Sequence, residues 1–413
     1  MRLTGGALAL TALVFAAGAP GAAASEPEVF GLGSEESAVA GASAARVHDF
    51  SAGYYDPAGL TLARRAEASF GVVGFGSALP LPGGGTFHMS DRVGLLVGAA
   101  TPVPFTGVLE DRIYVGIALH LLPATIVRVL AHTPDQAFYP LYDNRTQRLV
   151  VLPALAVRVW RGLAVGLGFN YLAGLGGNVS ATEGATRALE ARVDEQIYSH
   201  VAVNAGVRWQ ARPHLALALV YRQAFGVPFR TVANNQVAGQ PIDLDVDAEE
   251  LYTPHTVVAG VAWRARPSLL LSLDVAWQHW SDWAGPYVTV TSELPLVGAI
   301  VAAPPRVAFA DGASLRAGAD WTALIRGAWA ISLRGGYAFV SSPLPSTQTD
   351  TQLLGGDQHH VTAGIGIRVA VLGGELRLDG HGELQLVQGS SVPLGRVGTG
   401  SVGAGGFTLT VRR

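Results

Sequence analysis

The chain has 413 residues, 49% of them apolar and only 14% charged, with 52 Gly, 23 Pro, no Cys and a formal net charge of −3. Charge this sparse, against roughly 25% in a soluble domain, points to a membrane, yet past residue 24 no run approaches the ~18 to 20 apolar residues of a spanning helix, so the architecture left is a closed β-barrel. The slight excess of acids removes the electrostatic footprint of a nucleic-acid binder, the apolar content excludes disorder, and the missing cysteines exclude a disulfide scaffold.

The first 24 residues read as a secretory signal peptide. Met1-Arg2 is the positive start, residues 5–17 are an apolar stretch too short to span, and Ala22-Ala23-Ala24 is a small-residue cleavage site before Ser25. A barrel behind such a signal belongs in the outer membrane of a bacterium. Residues 25–65 follow without strand alternation, too rich in apolar residues, Gly and Ala for a solvated tail, and read as an N-terminal hatch that plugs the barrel. Within them runs His48-Asp49-Phe50-Ser51-Ala52-Gly53-Tyr54-Tyr55-Asp56-Pro57-Ala58-Gly59-Leu60. Pro57 fixes its own φ and biases Asp56 toward extended geometry, and Gly59 is expected to close the turn with a positive φ.

The barrel is expected over 66–413. In a membrane barrel alternate side chains face lipid and lumen, so strands show period two over about ten residues. Over 358–370, Val361, Ala363, Ile365, Ile367 and Val369 share one face, with His360, Thr362 and Arg368 on the other. The same test predicts strands at 66–75, 91–101, 111–120, 148–159, 163–172, 197–209, 213–222, 255–264, 269–279, 314–321, 327–339, 358–370, 374–387 and 402–411. Fourteen is an even number, as single-chain bacterial barrels have. The connections after the fourth, sixth, eighth, tenth and twelfth strands are tight, and those between them are long, which assigns the tight turns to the periplasm. Tyr171, Trp209, Tyr221, Trp263, Trp277, Trp321, Trp329 and Tyr337 fall at lipid-facing strand ends, where amphipathic rings form girdles.

The segment from Asp49 to Leu60 resembles the N-terminal hatch of the FadL-type outer-membrane transporters of long-chain fatty acids and other hydrophobic compounds. Asp56-Pro57-Ala58 stands where that family carries Asn-Pro-Ala; the aspartate keeps an acceptor and lacks the amide donor. Pro254-His255-Thr256, Leu273-Asp274-Val275-Ala276-Trp277, Leu333-Arg334-Gly335-Gly336-Tyr337 and Asp357-Gln358-His359-His360-Val361 extend the resemblance over most of the mature chain. The C-terminus departs from it, ending Arg412-Arg413 instead of on an aromatic residue. The resemblance implies a plugged fourteen-stranded barrel with an internal ligand pocket and lateral release into the bilayer. It implies a hydrophobic small molecule, a fatty acid or hydrocarbon, as ligand, outer-membrane lipids as surroundings and a monomeric state, with no cofactor, metal or enzymatic activity.

Lumen-facing Arg158, Arg208, Arg264, Arg368 and Arg377 are expected near the periplasmic end, several of them paired with hatch carboxylates. Gly116, Ala118, Gly166, Gly168, Ala216, Ala218, Val220, Val258 and Ala330 leave room that suits an aliphatic ligand. Arg316 and Arg334 are candidates for an anionic head group, or for ion pairs with Asp274 or Asp320, and Phe50 is a further ligand-binding candidate. Pro153 cannot donate to the ladder, so a bulge or kink is expected there, a candidate lateral opening under the resemblance. The loop 121–147 holds Leu122 and Ile126 at helical spacing, then Phe138, and is the candidate docking groove at the outer surface.

Other signals are set aside. Gly398 to Gly403 matches G-x-G-x-x-G but leads only into the terminal strand. His279, Ser281 and Asp282 are too close in sequence for a catalytic relay, and His359 and His360 point to opposite faces of a strand. The competing readings are a surface or adhesive barrel, a porin-like barrel and, last, a lipid-acting barrel enzyme.

Overall fold

The computed structural model describes residues 26–89, 92–121, 132–143, 149–183, 189–237, 240–294, 298–302, 304–371 and 373–413. The expected signal peptide lies outside them. Fourteen antiparallel strands form the barrel: β1 (Glu67–Pro80), β2 (Val93–Pro102), β3 (Ile113–Leu121), β4 (Val150–Trp160), β5 (Leu163–Glu183), β6 (Leu189–Arg212), β7 (Leu215–Arg222), β8 (His255–Arg266), β9 (Leu269–His279), β10 (Gly312–Arg326), β11 (Trp329–Val340), β12 (Gln358–Val371), β13 (Gly374–Val387) and β14 (Gly400–Arg412). Each pairs with its successor, and β14 returns to pair with β1 from Glu67↔Arg412 to Ala78↔Ser401, which closes the sheet. Closure leaves no unpaired edge within the barrel wall. All fourteen strands stand where alternation places them.

The apolar positions of the alternation face outward. Val361, Ile365, Leu378 and Leu384 are among the large apolar side chains exposed on the barrel wall. The aromatic residues separate into two rims. Trp209, Trp263, Trp321 and Trp329 lie near the tight turns, while Tyr171, Tyr221, Trp277 and Tyr337 lie toward the long connections, and all eight are exposed. Trp329 and Tyr337 are eight residues apart on one strand, about 26 Å of strand and about 20 Å along the axis at the usual tilt. The tight connections use glycine where the chain must turn back: Gly162 has φ 80° and Gly327 φ 58°, a left-handed backbone open to glycine at little cost.

The long connections hold more regular structure than their sequence suggests. β5 and β6 run beyond the barrel as a hairpin to Glu183 and from Leu189, a second hairpin spans Phe225–Val237 and Gln240–Thr253, and a third spans Thr289–Leu294 and Gly298–Ala302. Residues 242–247, Ile-Asp-Leu-Asp-Val-Asp, alternate as a strand does, yet no strand was expected in these connections.

Residues 26–65 fold as short pieces within the barrel: α1 (Glu26–Phe30), α2 (Ser34–Ser37), α3 (Ala52–Tyr55) and a 3₁₀ helix at Pro57–Leu62. Leu32, Val47, Phe50 and Leu60 are buried in one apolar cluster with Leu96, Ala118, Leu152 and Ala156 from β2, β3 and β4. Burying apolar surface at roughly 25 cal/mol per Å² is what holds such short helices, which are too short to persist in water.

Candidate functional site

The turn at Asp56 follows from local chemistry. Asp56 is extended, at φ −160° and ψ 106°, as a residue before proline should be. Its Oδ1 accepts a hydrogen bond from Ala58 N–H at 2.9 Å, so Asp56 caps the 3₁₀ helix that Pro57 opens. Gly59 does not close this turn with a positive φ, contrary to expectation: the chain continues as helix, and the glycine is required because a Cβ would stand 2.5 Å from the Val47 carbonyl oxygen.

The barrel wall is shaped to receive this turn. A Cβ on Gly166 would lie 2.7 Å from Pro57 Cβ, one on Gly168 would lie 3.2 Å from the Gly53 carbonyl, and one on Gly116 would lie 2.7 Å from Leu60 Cδ2. Ala216, Ala218, Val220 and Val258 pack with Ala44 and Ala45 in the same way. The small lumen residues therefore accommodate the chain's own N-terminal segment and not, as their size suggests, an aliphatic ligand. Phe50 is likewise taken up, buried against the wall with its ring over Gly98 and its N–H donating to Glu67 Oε1 at 3.1 Å.

The turn sits beside a defect in the ladder. β4 and β5 pair at Val150↔Leu172 and Val151↔Tyr171, then again only at Ala154↔Gly168. Two rungs are missing at Leu152 and Pro153, with no change of register, so the expected bulge is instead a local gap. Its cause is the proline, which has no N–H to give the neighbouring strand.

Polar side chains of the lumen face complete the contact by binding the segment's backbone, whose short helices leave many peptide groups unpaired. Asp274 Oδ2 accepts the N–H groups of Ser43 and Ala44 at 2.7 and 2.9 Å. Asn204 Nδ2 donates to the carbonyls of Gly53 and Tyr54 at 2.8 and 2.9 Å, and Thr362 Oγ1 donates to Ala38 at 2.9 Å. None of these three roles was expected from the sequence; the available signal was the inward parity of a polar residue in the middle of each strand.

Toward the tight turns lies a layer of buried charge. Arg377 pairs with Glu35, with Asp49 at 2.9 Å and with Asp379 at 2.8 Å. Arg46 pairs with Glu35 and Asp320, both at 2.9 Å. Arg334 pairs with Asp320 at 2.8 Å and Asp379 at 2.6 Å, which occupies the side chain named as a head-group candidate. Burial opposes the charge of Glu35, but Arg377 first, then Arg334, His48 and Arg46, hold its carboxyl well below the usual range. Glu36, accepting from the Ser43 hydroxyl, is pushed by burial up to about 7 despite Arg46. Burial likewise pushes Asp56 up to about 7, against the Ala58 hydrogen bond and the charge of Arg208.

Of the five lumen arginines expected near this end, Arg377 is the one that pairs with carboxylates of the segment among the described residues. Arg158 donates to the Thr61 carbonyl at 2.7 Å and Arg208 to that of Ala45 at 3.0 Å, because the segment offers carbonyl ends there. Arg316 likewise donates to the Ala40 carbonyl at 3.0 Å. Phe138 is buried at the long-loop end, stacked on His132 at 3.8 Å and packed with Trp283, Tyr287 and Leu353, so its ring is covered by the protein. Leu122 and Ile126 lie outside the described residues. His279 Nδ1 meets Asp311 at 3.1 Å and the Ser281 hydroxyl at 3.3 Å, and Nε2 meets Asp282 at 3.2 Å, so, contrary to expectation, these near neighbours do share one imidazole, at an exposed site where Asp311 also occupies the serine's nitrogen.

Among the described residues, two cavities deeper in the lumen, beside Tyr54, Arg316 and Gln278, measure about 40 and 50 Å³, enough for a water or two and not for a lipid. A larger one of about 520 Å³ lies below the segment, toward the tight turns.

No family model and no curated protein matches the chain. Solved structures do. The chain is similar to a FadL homologue from Pseudomonas aeruginosa at 13% identity and a TM-score of 0.57, covering 92% of this chain and 98% of that one. The fold is that of the FadL-type barrels. The P. putida toluene transporter TodX aligns at 14% identity over 93% of this chain and 98% of its own, with a TM-score of 0.57, and the Ralstonia pickettii toluene transporter TbuX at 16%, 93% and 98%, with a TM-score of 0.55. At these identities the likeness is one of fold.

Proposed function

We propose that this FadL-type barrel moves hydrophobic compounds across a bacterial outer membrane, with residues 25–65 as a hatch and the gap beside Pro153 as the lateral exit. The observation that carries the reading is the seat of Asp56-Pro57-Ala58 against β5, next to the two missing rungs between β4 and β5. A closed barrel with an apolar outer band and two aromatic rims suits an outer membrane, with its tight turns in the periplasm. Channels of the same fold carry the names of toluene and monoaromatic hydrocarbon transporters, which supports a hydrophobic ligand.

In the arrangement described, the deeper lumen cavities are too small for a fatty acid or an aromatic hydrocarbon. Passage therefore requires the hatch to shift. Freeing the Asp56 turn from Gly166 and Gly168 opens room directly against the ladder gap, where a ligand leaves sideways into lipid without crossing the charged layer below. Long-chain fatty acids, alkanes and small aromatics all satisfy this chemistry.

The test is uptake of labelled oleate and of toluene by cells expressing the protein, normalised to barrel at the surface. The combined Asp56→Ala and Pro57→Ala variant should change uptake while the barrel still folds and inserts. Unchanged uptake at equal surface level would end the gating role of the turn, and no uptake of either compound by the unaltered protein would favour a surface barrel.

A further inference from the structure

The cavity of about 520 Å³ below the N-terminal segment is a chamber of arginines. Among the described residues, eight arginines and four carboxylates line it. The four carboxylates are already engaged: Glu35 with Arg46 and Arg377, Asp320 with Arg46 and Arg334, Asp379 with Arg334 and Arg377, and Glu375 with Arg412 at 3.1 Å and Arg368 at 3.7 Å.

Three lining arginines remain. Arg64, Arg208 and Arg264 have no carboxylate within 4.0 Å among the described residues. They come from separate places, the end of the N-terminal segment, β6 and β8, and face one volume. Arg208 is 7% exposed, and its guanidinium is fixed by donating from Nε to the Ala45 carbonyl and from Nη2 to Gln210 Oε1 at 2.9 Å. Arg64 and Arg264 are exposed to the open part of the chamber.

A guanidinium does not lose its proton in a protein. A recess with three such charges and low-dielectric walls concentrates a positive potential that arriving anions must balance. Carboxylate and phosphate oxygens match the planar fork of arginine, which makes charge-assisted, often bidentate, hydrogen bonds.

We propose that this chamber is a binding site for a small oxyanion, a carboxylate or phosphate group held by Arg64, Arg208 and Arg264. Asp56 does not line the chamber, and the site does not depend on transport of hydrophobic compounds. The oxyanion has two sources, the head group of an amphiphile or a free ion in the compartment at the tight-turn end.

Calorimetric titration of the full barrel in non-ionic detergent distinguishes them, with hexanoate, inorganic phosphate and the neutral hexanol as probes. Hexanoate and phosphate should compete for one site, and hexanol should give no saturable signal. Hexanoate binding at least tenfold tighter than phosphate assigns a head-group site, and equal or tighter phosphate assigns a free-ion site. Arg264→Gln and Arg64→Gln each remove one exposed guanidinium without touching the segment's contacts, and each should weaken binding about tenfold, the worth of one charge-assisted hydrogen bond. Arg208→Gln should do the same or more. If neither anion binds, or if both exposed-arginine variants bind as the unaltered protein does, the site is overturned.

Discussion

The peptide joining Pro57 to Ala58 lies flat against Gly166 of β5, so close that a Cβ on that glycine would stand 2.7 Å from Pro57 Cβ. An alanine there must push the turn away or distort the strand, and overpacking of this kind costs about 1–3 kcal/mol. Its methyl points into the lumen, so the hydrogen-bond ladder is untouched. Gly166→Ala is expected to keep heat-modifiable migration and strand-rich circular dichroism, while protease cuts the N-terminal segment more readily. Equal protection of the segment would show that this contact does not hold it.

Arg377 joins the segment to the wall through Glu35 and Asp49. Removing one member of a buried pair leaves the others uncompensated and costs about 3–5 kcal/mol. Arg377→Gln should loosen the segment more than Gly166→Ala does. Adding Asp49→Asn to Arg377→Gln should recover part of the loss, because Asp49, unlike Glu35, has Arg377 as its arginine partner among the described residues and is left uncompensated without it. A double-variant cycle read by limited proteolysis measures the coupling, and simple additivity would contradict it.

The docked segment should respond to pH through Asp56 and Glu36. Burial raises both toward about 7, from ordinary values near 4, so between those limits the docked segment keeps protons that the released one gives up. By linkage their contribution is complete at about pH 4, falls as pH rises, and is spent above about 7. Glu35 and Asp49 act oppositely, since their lowered values contribute above the ordinary carboxylate range and fail only in stronger acid. Conductance across a planar bilayer should therefore be lowest near pH 5 and rise by pH 8. Asp56→Asn, neutral throughout, should flatten much of that rise; an unchanged profile would assign it elsewhere.

The ladder gap offers a separate test. Pro153→Val supplies the missing N–H and a residue suited to a strand, so the rungs at Leu152 and Pro153 are expected to form. Amide exchange along β5 between Gly168 and Tyr171 should slow. Uptake of a hydrophobic compound should fall if the exit lies there, and full uptake with the rungs restored would move the exit.

Deleting residues 26–62 removes the material that fills the lumen. Steady ion conductance should rise sharply over that of the intact protein, and a large conductance in the intact protein would favour a porin.

The barrel was legible because lipid and lumen impose opposite demands on successive residues. Val361 and Thr362, or Leu378 and Asp379, differ in polarity because they face opposite sides of one wall. The same test stopped short at the end of the barrel wall, where the hairpin of β5 and β6 runs on through the glycine-rich residues 174–177. At the site, the extended Asp56 followed from the Asp-Pro pair alone and the missing donor of Pro153 was visible too, whereas the 3₁₀ helix that Asp56 caps was not expected.

What only the tertiary structure decided is what fills the lumen. Gly116, Gly166 and Gly168 read as empty space along their own strands, yet that space is taken by Leu60, Pro57 and Gly53 from a segment more than fifty residues earlier. Arg208 and Arg377 look alike in sequence, but one meets a carbonyl and the other two carboxylates of the same segment. Alternation reports which face a side chain occupies, because that is a property of one strand in a two-sided environment. It carries no information on what stands opposite, since that depends on the path of a separate piece of chain through the closed barrel.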